Sequence, residues 1–292
     1  MKCVIAVDVG ASNIRLATFT GKEMKNRISY KLQSSVNPLY YIEEYLKKFS
    51  KTCSTIGIAS AGPIDIRKGS VKLINYNNLT INYVESLKGY GDVFITNDCI
   101  AGLLAETHFG GAVKTKNTVY LTFSSGIGAG VMVDGHILIG KDGNAHEIGH
   151  LVLNYEDDTT CGCGKKGHWE AYCGGKSMPK FFYKVTGKKV PSPEEIFKMY
   201  YEGQKEAVDF IEKCMKINAA GLASIIDAYD PEVIILSGSV YLNNEDIFMK
   251  RLHELTKNYV MNRMPKLKTA RLREDSVIFG AGILATLKGK LP

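Results

Sequence analysis

Two stretches of this 292-residue chain repeat one design. VDVGASNIRLATF (7–19) and TFSSGIGAGVMV (122–133) each read as a strand, a glycine-rich turn and a second strand. One such hairpin is ordinary. Two of them, about 115 residues apart, describe a chain with two similar halves, long enough for two lobes that each bury a core. They also suggest two loops of backbone N–H groups facing one polyanion.

The rest of the chain fits that division. Apolar β-branched runs predict strands at 3–9, 14–20, 55–60, 93–96, 118–123, 128–135, 232–238 and 276–280. Helical spacing appears at 38–49, 99–109, 205–229, 245–262 and 280–289. In each half strands precede helices, which is an α/β pattern. GKKVPSPEE (187–195) reads as a surface connection within the second half.

Composition excludes several classes. With 45% apolar and 23% charged residues the chain is a globular one, and no apolar run approaches the ~18–20 residues of a membrane span. The opening MKCVIAVDVG enters a strand at once and carries no signal peptide. Seven scattered cysteines (3, 53, 99, 161, 163, 173, 214) predict reduced thiols in a cytoplasmic protein, with the 161/163 pair reserved for metal. The net charge is +7, but the most basic run, NRMPKLKTARLR (262–273), has no interleaved aromatics. It reads as a solvated helix end and loop rather than a nucleic-acid surface.

Four places carry candidate chemistry. Asp8 ends a buried-looking strand and is followed by Gly10, Ser12, Asn13 and Arg15; small residues let backbone N–H groups meet a phosphate while the carboxylate holds its Mg2+. Ser124, Ser125, Gly126 and Gly128 repeat the idea. Asn97 and Asp98 stand where a strand meets a helix, a place for an N-cap and equally for a catalytic carboxylate. Gly238, in VIILSGSV, ends a strand, where small residues either admit a flat base or pack a turn.

In this order the segments resemble the sugar-kinase and actin-like ATPase superfold, a ribonuclease H-like α/β fold of two lobes with a cleft between them. Within it the chain resembles the ROK family (repressors, open reading frames, kinases). The carrying residues are Asn97-Asp98, the GP of SAGPID (60–65), the ExGH of Glu147–His150 and the CxCGxxG…E of Cys161–Glu170. The match runs from residue 4 to about 287 and implies lobes of 1–112, completed by a C-terminal helix at 277–292, and 113–276. It further implies that ATP is the donor, that Asp98 is the general base, and that Gly62, Asn97, Asp98, Glu147, His150 and Glu170 bind a hexose. In the family a histidine and three cysteines hold a structural zinc. Here His150, Cys161, Cys163 and His168 match that pattern, with His168 where the family has its third cysteine and Cys173 as the alternative fourth ligand.

The expected activity is phosphorylation of a hexose C6 hydroxyl by a cytoplasmic homodimer or homotetramer that binds neither nucleic acid nor membrane. Pro63 follows its glycine as in the ROK glucokinases the chain resembles, which implies glucose rather than an N-acetylmannosamine-type acceptor. Proline stiffens the wall and leaves no donor there for an extra oxygen, and it equally serves as a plain turn residue. A ROK repressor would need a DNA-binding segment ahead of the first phosphate motif, which here starts at residue 4. A zinc-containing interaction protein would be expected to have lost Asp8 or Asp98.

Overall fold

Alternation along the first strand decides how the first half packs. In the computed structural model, which describes residues 2–32, 36–74 and 76–292, β1 (Cys3–Val9) sends Ile5, Val7 and Val9 into one apolar cluster and Val4 and Ala6 into another. It pairs antiparallel with β2 (Asn13–Thr20), which pairs antiparallel with β3 (Glu23–Lys31). Asn37 then caps α1 (Pro38–Phe49) by accepting the Leu39 N–H at 3.0 Å, and proline sits at the first helical position, where its missing N–H costs nothing. Ile42 and Leu46 of this helix join the cluster of Ile5, Val7 and Val9.

The chain returns as β4 (Thr55–Ser60), parallel to β1. A small antiparallel sheet follows, of β5 (Ile64–Asp65), β6 (Ser70–Leu73) and β7 (Leu79–Asn82). Next come α2 (Tyr83–Leu87), β8 (Asp92–Asn97), which lies parallel to β4, and α3 (Asp98–His108). The main sheet has the order β3–β2–β1–β4–β8.

The second half repeats this plan. β9 (Thr118–Phe123) and β10 (Ile127–Val133) form an antiparallel hairpin, followed by β11 (His136–Ile137). Helices α4 (Trp169–Cys173), α5 (Met178–Thr186), α6 (Pro193–Tyr201) and α7 (Lys205–Tyr229) lead to β12 (Val233–Ser237), parallel to β9. Then come α8 (Ser239–Leu242), α9 (Glu245–Thr256), β13 (Lys266–Thr269), parallel to β12, and α10 (Ser276–Thr286). The order β10–β9–β12–β13 matches β2–β1–β4–β8 strand for strand, in both order and direction.

Two compact units result. One holds residues up to Lys114 together with Gly135–Ala145 and Asp275–Pro292; the other holds Thr115–Asp134 and His146–Glu274. The excursion 135–145 joins the first unit because the Asn144 side chain exchanges two hydrogen bonds with the Ile64 backbone, at 3.0 and 2.8 Å, and Asp142 accepts the Ile66 N–H. Helix α10 completes the second apolar cluster of that unit: Ile278, Ala281 and Ala285 meet Val4, Ala6 and Ala101. The approach is close. A methyl on Gly280 would stand 1.8 Å from the Ala101 carbonyl oxygen, so only glycine lets α10 and α3 touch backbone to backbone.

Several expectations need correction. Residues 276–280 begin α10 and are not a strand; a helix buried all round shows no amphipathic period, so its apolar start looks like a buried strand. The helix expected over 245–262 stops at Thr256, and Lys266–Thr269 inside the basic run is an edge strand whose lysines alternate outward. Cys3 and Cys53, expected as free thiols, form a disulfide with Cα atoms 4.7 Å apart. Cys3 opens β1 and Cys53 precedes β4, so the parallel pairing of those strands brings together residues 50 apart in sequence.

Candidate active site and metal cluster

In the first unit three parallel strands end side by side, with Val9, Ser60 and Asn97 in register. Strand ends in such sheets are where binding groups gather. One residue back, Asp8 is 2% exposed and accepts a hydrogen bond from Arg15 Nη1 at 2.8 Å, its partner across the β1–β2 hairpin. Burial pushes the Asp8 carboxyl up to about 6; the Arg15 guanidinium opposes the rise, and the carboxylates of Asp98 and Asp275 add to it. The turn is closed by Gly10 N–H donating to the Asn13 carbonyl at 2.9 Å, and Ser12 and Asn13 are exposed above it.

Asn97, not Asp98, is the N-cap of α3: its Oδ1 accepts the Cys99 N–H at 2.8 Å. Asp98 is the first helical residue, half-buried, and its Oδ1 also meets that N–H at 2.9 Å. The cap therefore does not require Asp98, whose charge still favours the helix N-terminus. Gly62 lies in the same unit at φ +105°, a left-handed conformation suited to glycine, with Pro63 next to it.

In the second unit the β9–β10 turn comprises Ser124–Gly126, and Gly128, grouped with the phosphate-facing residues and also opening the strand expected at 128–135, sits in β10 opposite Thr122. Ser124 N–H donates to the Gly126 carbonyl at 2.9 Å. The turn rests on the end of α4: the N–H groups of Gly175 and Lys176 donate to the carbonyls of Ser124 and Ser125 at 2.8 and 2.9 Å. Ser124 Oγ is 3.3 Å from Ser239 Oγ, in the residue after Gly238, so the Ser124–Gly126 turn and the end of β12 meet. Beside Ser239 opens a hollow of about 310 Å³ lined by Phe197, Tyr201, Val240, Asn243 and Asn244.

The ExGH and CxCG segments converge in this unit. His150, Cys161, Cys163 and His168 bring one ligand atom each to within 4.8 Å of one another. The separations are 3.2 Å between the two Nδ1 atoms, 3.8 Å from Cys161 Sγ to His150 Nδ1, and 3.3 Å from Cys163 Sγ to His168 Nδ1. A tetrahedral zinc with bonds of about 2.0–2.3 Å needs ligand–ligand edges of roughly 3.3–3.8 Å. The donor set fits that ion. Cys173, the other candidate ligand, is buried away from the cluster and donates to the Cys214 carbonyl at 3.5 Å. Burial, with His150 nearby, holds His168 below the usual histidine range, which favours the neutral ring a metal needs.

His150 has two working sides. Nδ1 faces the cluster, and Nε2 lies 3.6 Å from Glu147 Oε2. Burial raises the Glu147 carboxyl, His150 opposes this, and Glu170 reinforces it. Glu170 stands between cluster and turn: Oε1 accepts from Cys161 Sγ at 3.5 Å, and Oε2 accepts the Ile127 N–H at 3.0 Å. Trp169, fully buried, donates from Nε1 to Asn218 Oδ1 at 2.8 Å and so fixes the helix that carries His168 and Glu170.

The structure thus gathers Asp8, Gly10, Ser12, Asn13, Arg15, Gly62, Asn97 and Asp98 in one unit, and Glu147, His150, Cys161, Cys163, His168, Glu170, the Ser124–Gly126 turn and Gly238 in the other. Sequence reasoning missed Ser239, Asn218 and the hollow's Phe197 and Tyr201. Ser239 was within reach, in the same SGS as Gly238; Asn218 lies mid-helix with nothing to mark it.

The ROK family model matches residues 4–288. A glucokinase of Pyrobaculum calidifontis is 38% identical over 284 residues, covering 96% of this chain and 94% of that protein. An N-acetyl-D-glucosamine kinase of Haemophilus influenzae is 27% identical over 313 residues, covering 97% and 99%. Among solved structures, the ROK hexokinase from Thermus thermophilus superposes with a TM-score of 0.84 at 28% identity and 98% coverage of both chains.

Proposed function

This chain belongs to the ROK family, and we propose that it transfers the γ-phosphoryl group of ATP to the C6 hydroxyl of a hexose, with glucose the preferred acceptor. The observation that carries the reading is the meeting, in one unit, of a phosphate-type turn with carboxylate and imidazole groups suited to a polyol, through Glu170. The glucokinase relative supports it.

In this mechanism Asp98 accepts the C6 hydroxyl proton as the oxygen attacks phosphorus, and Asn97 and Asp98 hold the C4 and C6 hydroxyls. Gly62 borders the sugar. Glu147, His150 and Glu170 bind the hydroxyls at C1 and C2. Gly10, Ser12, Asn13 and Arg15 meet the phosphates, as do Ser124, Ser125 and Gly126. Asp8 would hold Mg2+, which screens phosphate charge. Gly238 and the hollow beside Ser239 receive the adenosine, whose flat base suits Phe197 and Tyr201. Zinc at His150, Cys161, Cys163 and His168 would fix the His150 ring so that Nε2 stays turned to the sugar.

ATP as co-substrate places the enzyme in the cytoplasm. Membrane insertion through a helix has no basis among the described residues, where no helix is long and apolar enough to cross a membrane. The family resemblance supports an assembly of two or four chains without nucleic acid. An N-acetylhexosamine kinase is the second reading, favoured by the Haemophilus relative. A coupled assay over glucose, mannose, N-acetylmannosamine and N-acetylglucosamine tests both: ATP turnover should require sugar, with kcat/KM highest for glucose. Turnover independent of sugar would defeat the kinase reading; a higher value for an acetamido sugar would move the acceptor.

A further inference from the structure

Glu170 makes a contact that sugar binding does not need. Its Oε2 accepts the N–H of Ile127, the residue that leaves the Ser124–Gly126 turn, at 3.0 Å. A methyl on Gly126 would lie 2.2 Å from that same oxygen, and one on Gly174 would lie 2.7 Å from Glu170 Cγ, so glycines on both sides leave the carboxylate a fitted slot. The rest of the turn is held by main-chain bonds from Gly175 and Lys176 to the Ser124 and Ser125 carbonyls, and at its start by the Ser124–Ser239 hydroxyl contact at 3.3 Å. Ser239 meets the first residue of the turn, whereas the Glu170 side chain holds its exit at Ile127, and the N–H groups of Ser125 and Gly126 make no bond to other described residues.

We infer that Glu170 is a positioning residue for the nucleotide: through the Ile127 N–H it holds the Ser124–Gly126 turn in the shape that receives phosphate, apart from any contact with sugar. This rests on the kinase reading for what the turn binds. What matters is an acceptor in place for the Ile127 N–H, because the turn's donors must be set before nucleotide arrives to bind it well.

The test is made without sugar, so that a lost hydroxyl contact is not read. Affinity for a non-hydrolysable ATP analogue with Mg2+ is measured by calorimetry on wild type, Glu170→Ala and Glu170→Gln, with zinc content and Tm recorded for each. Gln keeps an acceptor for Ile127 and should bind within ~2-fold of wild type, whereas Ala should weaken binding at least ~10-fold. Should Ala fail to fold, Glu170→Asp, one methylene shorter, takes its place with the same expectation. Unchanged affinity in Ala or Asp, or equal weakening in Gln, overturns the inference. Wild-type protein that binds no nucleotide overturns the kinase reading along with it.

Discussion

Asp8 should make the ligand-free protein less stable as the pH rises towards neutrality. Its carboxyl is pushed from an ordinary 3.8 to about 6 by burial, even with Arg15 at 2.8 Å. Between those values the folded state holds a proton that the unfolded state has released, so stability falls as pH climbs through the window and levels off above it. At about 1.36 kcal/mol per pKa unit the whole effect is about 3 kcal/mol, absent below pH 3.8 and complete above pH 6. Asp8→Asn removes the titration while keeping the shape, and Arg15, with 26% of its side chain exposed, stays hydrated. Urea denaturation of both proteins from pH 4 to 7.5, without nucleotide or Mg2+, reads the difference directly. Relative to the variant, wild type should lose most of that effect, about 2 kcal/mol, across the range, while the variant should be inactive at every pH. Stability curves that run parallel would refute the claim that the site carries an electrostatic cost for its charge.

Three further outcomes follow from the geometry. Asp98→Asn leaves the Asn97 cap in place, so folding should hold while kcat drops at least ~10²-fold in a coupled assay, with sugar affinity little changed. Elemental analysis should find about one zinc per chain, lost in Cys161→Ser and His168→Ala but kept in Cys173→Ala, and the metal-free protein should bind sugar more weakly. Reducing the Cys3–Cys53 bridge, or Cys53→Ala, releases a loop of 50 residues and should lower unfolding stability by about 2–4 kcal/mol in urea titrations with and without reductant.

Much of this molecule is legible in its sequence because the informative patterns are local. Helices α1 and α7 show an apolar stripe, and β1, β4 and β9 are β-branched runs between breakers, so period and composition locate them. The misreadings also have local causes. Ser276–Thr286 is buried all round and has no stripe, whereas Glu23–Lys31 and Lys266–Thr269 are polar edge strands without the apolar alternation of a half-buried one.

By itself the sequence determined which groups are present and how they are spaced: the two glycine hairpins, the Asn97-Asp98 pair, ExGH followed by CxCG. Spacing along a chain cannot say which of two residues five apart reaches a third. Helix α4 decided that, because Trp169 locks to Asn218 and turns Cys173 toward Cys214, leaving His168 with His150 and the cysteines. The parallel pairing of β1 with β4 likewise joined Cys3 to Cys53, and packing alone put one oxygen of Glu170 against Cys161 and the other against Ile127. Each of these depends on a distance through space between elements, and such distances are set only once the helices and sheets have packed.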